Sequence, residues 1–144
     1  VTGSTADLEE RVAETVKTVH NAIPRDMLKK HEYELTSEAA ERHGATQWTW
    51  HRENDADESA GFHRHVSLAL LVKVDGSIDS AEFWIGASMG KRIVRRCVFS
   101  RPLELYRVDS ELEELLDPTI AAANALTPDD LQETRPFEVS DEVR

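Results

Sequence analysis

The sequence predicts an α+β domain: an antiparallel meander of about four to five strands, with N- and C-terminal helices packed mainly on one face. Three stretches carry that expectation. His65 to Ala87 reads as two strands around a tight Asp75-Gly76 turn. Leu8, Val12, Val16, Val19 and Ile23 form one apolar stripe at helical spacing. Leu112, Leu115 and Leu116 follow an Asp109-Ser110 helix start.

In the hairpin's first arm, Val66, Leu68, Leu70, Val72 and Val74 share one face, while His65, Ser67, Ala69, Leu71 and Lys73 share the other. A two-residue Asp-Gly loop pairs Val74 with Ser77. It then sets Val72 opposite Asp79, Leu70 opposite Ala81, Leu68 opposite Phe83 and Val66 opposite Ile85. This register joins apolar face to apolar face except at Asp79. A lone hairpin is marginal, so the N-terminal helix is expected as its main cover.

Before the hairpin, Ser4 to Asp7 resembles a capping box, Pro24 ends the first helix, and Arg25 to Lys30 forms a short successor. His31 to Leu35 is read as a short strand, and Thr36 to His43 as one or two helical turns closed by Gly44. Thr46 to Arg52 is a strand with Trp48 and Trp50 on one face. Glu53 to Gly61 is an acidic loop.

After the hairpin, Ser88-Met89-Gly90 turns the chain into a strand over Lys91 to Ser100. A short strand is expected from Leu103 to Val108. Pro118 divides the last helix, with a second piece over Thr119 to Leu126 capped by Asp117. Thr127 to Asp130 opens a final turn. A single domain over residues 1–133 and a disordered tail over 134–144 complete the expectation.

The chain has 144 residues, and its net charge of −11 argues against general nucleic-acid binding. No run of about 18 apolar residues suits a membrane span. Cys97 is the single cysteine, so no internal disulfide forms, and a cytoplasmic setting is expected.

Gly86-Ala87-Ser88-Met89-Gly90 matches a nucleophile elbow in letters. A strand pattern follows where a helix is needed, and all six histidines lie at or before His65. His63 and His65, two apart on a strand and near His51, are the weak candidates for a metal site. Solvated histidines are the plainer reading, and no cofactor is expected.

Lys91 to Arg107 is the main anomaly: six basic residues against Glu104, a local charge of +5 in an acidic chain. Arg95 shares a strand face with Ile93, Cys97 and Phe99, while Arg92 and Arg96 share the other with Val94 and Val98. Arg92, Arg95, Arg96 and the outward-facing Trp84 are therefore the candidates for holding an anion or a partner. The expected function is a small acidic binding or assembly module. It would use an exposed sheet face and the arginine strand to bind an acidic protein or a second copy. The alternative is a carboxylate or phosphate pocket protein or small enzyme, its cavity between helix and sheet lined by Trp48, Trp50 and one of Arg95 or Arg96.

Overall fold

A computed structural model describes residues 5–40 and 45–133, with the side chains of 5, 6, 39 and 40 left out. The proposed Ser4 cap, the Gly44 cap and the 134–144 tail lie outside the described residues. Six antiparallel strands run in meander order: β1 Tyr33–Ala40, β2 Ala45–Arg52, β3 His63–Val72, β4 Ile78–Met89, β5 Arg92–Arg101 and the two-residue β6 Gln132–Glu133. The helices are α1 Thr5–Ala22, α2 Arg25–Lys30, α3 Asp55–Ala60 and α4 Val108–Asn124. The architecture is the expected α+β class.

The central register holds where apolar residues specify it: Val66 pairs with Ile85, Leu68 with Phe83 and Leu70 with Ala81. It shifts beside the turn, where Val72 meets Ile78 rather than Asp79. The shift buries Ile78 and leaves Asp79 outside, 3.8 Å from Lys73. An unpaired carboxylate facing the core costs more than one irregular ladder position. The connection accordingly spans Lys73–Ser77, closed by the Lys73 N–H on the Ser77 carbonyl at 2.8 Å.

Four other sequence expectations give way to tertiary context. Of the helical turns expected over Thr36 to His43, Thr36 to Ala40 belong instead to β1, which pairs with β2 across Leu35↔Trp50 and Glu38↔Trp48, and 41–43 lie outside the described residues. The expected acidic loop contains α3. Its Asn54 side chain accepts the Asp57 N–H at 2.8 Å, and Gly61 ends it at φ +68°. The expected strand at Leu103 to Val108 is a 3-10 turn over Leu105–Arg107 that leads into α4. Pro118 does not divide α4. Leu112, Leu115 and Leu116 before it, and Thr119, Ile120 and Ala123 after it, bury one continuous stripe. That stripe outweighs the proline's cost of about 3 kcal/mol.

All four helices pack on one sheet face, and α4 rather than α1 is its principal cover. α4 packs along β4 and β3, whereas α1 meets β3 and buries Thr15 and Val19. The Thr15 hydroxyl donates to the Gly76 carbonyl, tying α1 to the turn.

Candidate functional site

Among the described residues no helix covers the opposite sheet face, and its side chains follow from strand alternation and the observed register. Across β2 to β5 they form rows: His51, His65, Gly86 and Arg95 in one, and Thr49, Ser67, Trp84 and Cys97 in the next. Gln47, Ala69 and Glu82 form a third row. Leu71 and Ile93 stand exposed at opposite ends of the face, at 39% and 47% accessibility. Asp79 stands 3.8 Å from Lys73 at the hairpin end, and along these rows the face carries Glu82 and Arg95, one charge of each sign, so its charges balance across the four strands of a strongly acidic chain.

Both charged groups are engaged with Trp84. The Arg95 guanidinium lies over the indole at 4.5 Å from the ring centroid, and the indole N–H donates to Glu82 Oε1 at 3.0 Å. Next to them, the His65 ring lies over the bare backbone of Gly86. Its centroid is 5.8 Å from that of His51, whose Nδ1 is 2.5 Å from the Thr36 hydroxyl. Burial, then His51 and Arg95, lower the His65 pKa to about 4, so the imidazole is neutral near pH 7. His63, at the strand end, is exposed. No group of three potential metal ligands occurs among the described residues.

The arginine strand divides by face. Arg95 belongs to the open face with Ile93 and Cys97, as the alternation predicts. Phe99 does not: a bulge between the Phe83 and Trp84 pairings turns Phe99 inward, edge-on to Phe83 at 6.3 Å between centroids. Arg92 and Arg96 lie on the other side, where the chain itself answers them. Arg92 Nη2 donates to the carbonyls of Pro128 and Leu131 at 2.8 and 3.0 Å, and Arg96 Nη2 lies 3.5 Å from Asp130 Oδ1. A capping box between Thr127 and Asp130 shapes this turn, and the Thr127 N–H holds the Asp130 carboxyl below its ordinary pKa.

Trp48 and Trp50 are buried on the helix-covered face. The Trp48 indole N–H donates to His20 Nδ1 at 3.1 Å. Glu38 Oε1 lies 3.7 Å from that same nitrogen, but a nitrogen accepting the indole proton is an acceptor rather than a cation. Both tryptophans line a half-open cleft of about 250 Å³ between α1, α2 and β1. Neither Arg95 nor Arg96 lines it.

A buried polar cluster near the end of α4 was not read from the sequence. Arg64 Nε donates to Asp57 Oδ2 at 3.2 Å, and its Nη1 donates to the Ala123 carbonyl and to that of Leu126 at 3.0 Å. Asp57 is also 3.8 Å from Arg52 Nε, and the Tyr33 hydroxyl donates to Asn124 Oδ1 at 2.8 Å. Burial raises the Tyr33 pKa above its ordinary range, with Arg64 and Arg52 opposing. The signal was available in the alternation: Arg64 shares parity with Val66 and Leu68, so it points into the covered side. Its geometry is structural, a guanidinium closing the C-terminal carbonyls of a helix.

No family model, no curated protein and no solved structure matches this chain.

Proposed function

We propose that this chain is an assembly module that pairs with a second copy of itself through the open sheet face. The observation that carries this reading is the neutral face itself, with Trp84 at its centre and Leu71 and Ile93 exposed at its ends. Two chains of net charge −11 repel at long range, so a contact between copies is least opposed where local charge is lowest. An acidic partner on the arginine strand is less well supported, because Arg92 and Arg96 already bond the 128–131 segment.

The size is adequate. Four strands spaced about 4.8 Å apart, over eight residue rises of about 3.4 Å, cover about 500 Å². Two mated faces then bury about 1,000 Å², the lower bound for a specific interface. Arg95 and Glu82 supply one charge of each sign, which allows a two-fold pairing to set unlike charges opposite each other.

Sedimentation of the full chain tests the proposal. The expected species has twice the mass of one chain and persists or strengthens as salt screens the net repulsion. Leu71→Glu and Ile93→Glu should each return it to the single-chain mass with the wild-type circular-dichroism spectrum, losing only the stabilisation that pairing itself supplies. A wild type that stays at single-chain mass at high concentration overturns the reading. A dimer that dissociates with salt points instead to arginine-held acid groups and also overturns it.

A further inference from the structure

We infer that two copies meet about a two-fold axis that crosses the strands along the Thr49, Ser67, Trp84 and Cys97 row, with Glu82 of each chain set against Arg95 of the other. This rests on the open-face pairing proposed above. It adds the direction of the axis and the residues that decide which faces fit together.

The argument lies in the spacing of the two charges. A face that mates with its own copy does so about an axis lying between the two sheets, and each position then meets the one reflected across that axis. Glu82 lies two residues before Trp84 on β4, and Arg95 pairs with Gly86, two residues after it. With rises of about 3.4 Å and strands about 4.8 Å apart, the two positions differ by about 14 Å along the strands and about 5 Å across them. An axis parallel to the strands keeps the 14 Å offset, so Arg95 stays level with Arg95 and never reaches Glu82 of the second copy. An axis along the Trp84 row removes that offset. Arg95 then lies one strand spacing from Glu82 of the second copy, which its planar fork can grip with two hydrogen bonds.

The neighbouring positions agree with this axis. It sets the half-buried His65 ring against Ala69 of the second copy, a large residue against a small one. It brings Glu82 of the second copy over Gly86, which adds no side chain of its own. Trp84 and Cys97 fall on the axis and meet their own copies, which makes Trp84 the central aromatic anchor. Within one chain the Arg95 guanidinium lies 4.5 Å from the Trp84 ring centroid, and the indole N–H donates to Glu82 Oε1 at 3.0 Å. Both charges are therefore held beside the axis before the copies meet, and less side-chain freedom is lost on pairing.

Charge exchange, read by sedimentation, tests the axis. The wild type is expected at twice the chain mass. Glu82→Arg and Arg95→Glu should each run at single-chain mass, because each sets like charges opposite each other twice per pair. An equimolar mixture of the two variants should return to double mass, since every guanidinium then faces a carboxylate. Circular dichroism of each variant should match the wild type; if it does not, a cross-link on the wild type decides. Cys97 is exposed, and two copies of it meet on the axis. Facing sheets lie about 10 Å apart, beyond the roughly 7 Å limit between Cα atoms for a disulfide. A bismaleimide with a two-carbon spacer should therefore join two wild-type chains in dilute solution, and Cys97→Ser should stay unlinked. A wild type at single-chain mass overturns the open-face reading and this inference with it. With the wild type at double mass, the inference alone is overturned in three cases: the separate variants stay paired, their mixture stays at single-chain mass, or Cys97 does not cross-link.

Discussion

Gly86 and His65 form a testable pair on the open face. A Cβ added at Gly86 would lie under 3.0 Å from His65 Cε1 and Nε2, and 3.0 Å from the Val94 carbonyl oxygen. The imidazole therefore has to leave its place over the glycine in a Gly86→Ala variant. Such overpacking costs about 1–3 kcal/mol. Against that, alanine reduces the unfolded chain's freedom and recovers about 0.4–1 kcal/mol. The expected net loss is about 0.5–2 kcal/mol. With a urea slope of about 1–3 kcal/mol/M, the midpoint falls by roughly 0.5 M. In a His65→Ala background the ring is gone, and the Val94 carbonyl remains as the one tight neighbour. There the same substitution should be neutral within about 0.5 kcal/mol, leaving a coupling of about 0.5–2 kcal/mol in a double-mutant cycle. An equal loss in both backgrounds would refute the reasoning, because it would place the strain on the backbone of β5 instead of on His65.

Two further outcomes follow from buried groups. The His65 pKa is about 4 in the fold against an ordinary 6.5, so the unfolded chain binds the proton first. Stability is then complete above about pH 6.5 and declines as pH falls toward 4. The full shift converts at 1.36 kcal/mol per unit, but the ring is partly solvated, so about 1–2 kcal/mol is expected. Denaturation midpoints across that window should flatten in His65→Gln, and an unchanged slope would assign the effect elsewhere. Arg64→Met should destabilise by about 3–5 kcal/mol, since it leaves Asp57 and the Ala123 and Leu126 carbonyls without their donor. Arg64→Lys should recover little, because one ammonium cannot span both the carboxylate and the helix end; thermal melts of the two variants check this.

What was legible in the sequence depended on whether packing and local preference agreed. Val66, Leu68 and Leu70 alternate without interruption, and their partners in β4 came out as expected. At Asp79 the simple register placed a charge inside, and that local conflict is where the ladder shifts. Thr36 to Ala40 has helix-favouring residues, yet it becomes β1, because an extended segment there covers Trp48 and Trp50 through strand pairing with β2. Pro118 misled in the opposite direction, since its break is weaker than the buried stripe on both sides. The α3 signals, Asn54 as cap and Gly61 as stop, were present but lost inside a polar composition. The Phe99 bulge has no local signature in the sequence. It follows from Phe83, which can be covered edge-on by an aromatic ring from β5 once the alternation slips.

The arginines that seemed most available for a partner have a different consequence in the fold. Arg92 and Arg96 hold the 3-10 turn after α4, and β6 then pairs with Arg92 and Ile93 at the edge of β5. Beyond that point the β5 edge carries Arg95, Arg96 and Arg101, and a row of like charges opposes pairing with another copy of the same strand. The β1 edge carries the opposite sign, with Glu34 and Glu38 both exposed, and Thr36 marks a bulge whose hydroxyl is turned to His51. One sheet edge is thus guarded by arginines and a short cap, and the other by carboxylates and a bulge. Like charges on each edge oppose pairing with the same edge of a second copy, which is consistent with the open face as the proposed contact between two chains.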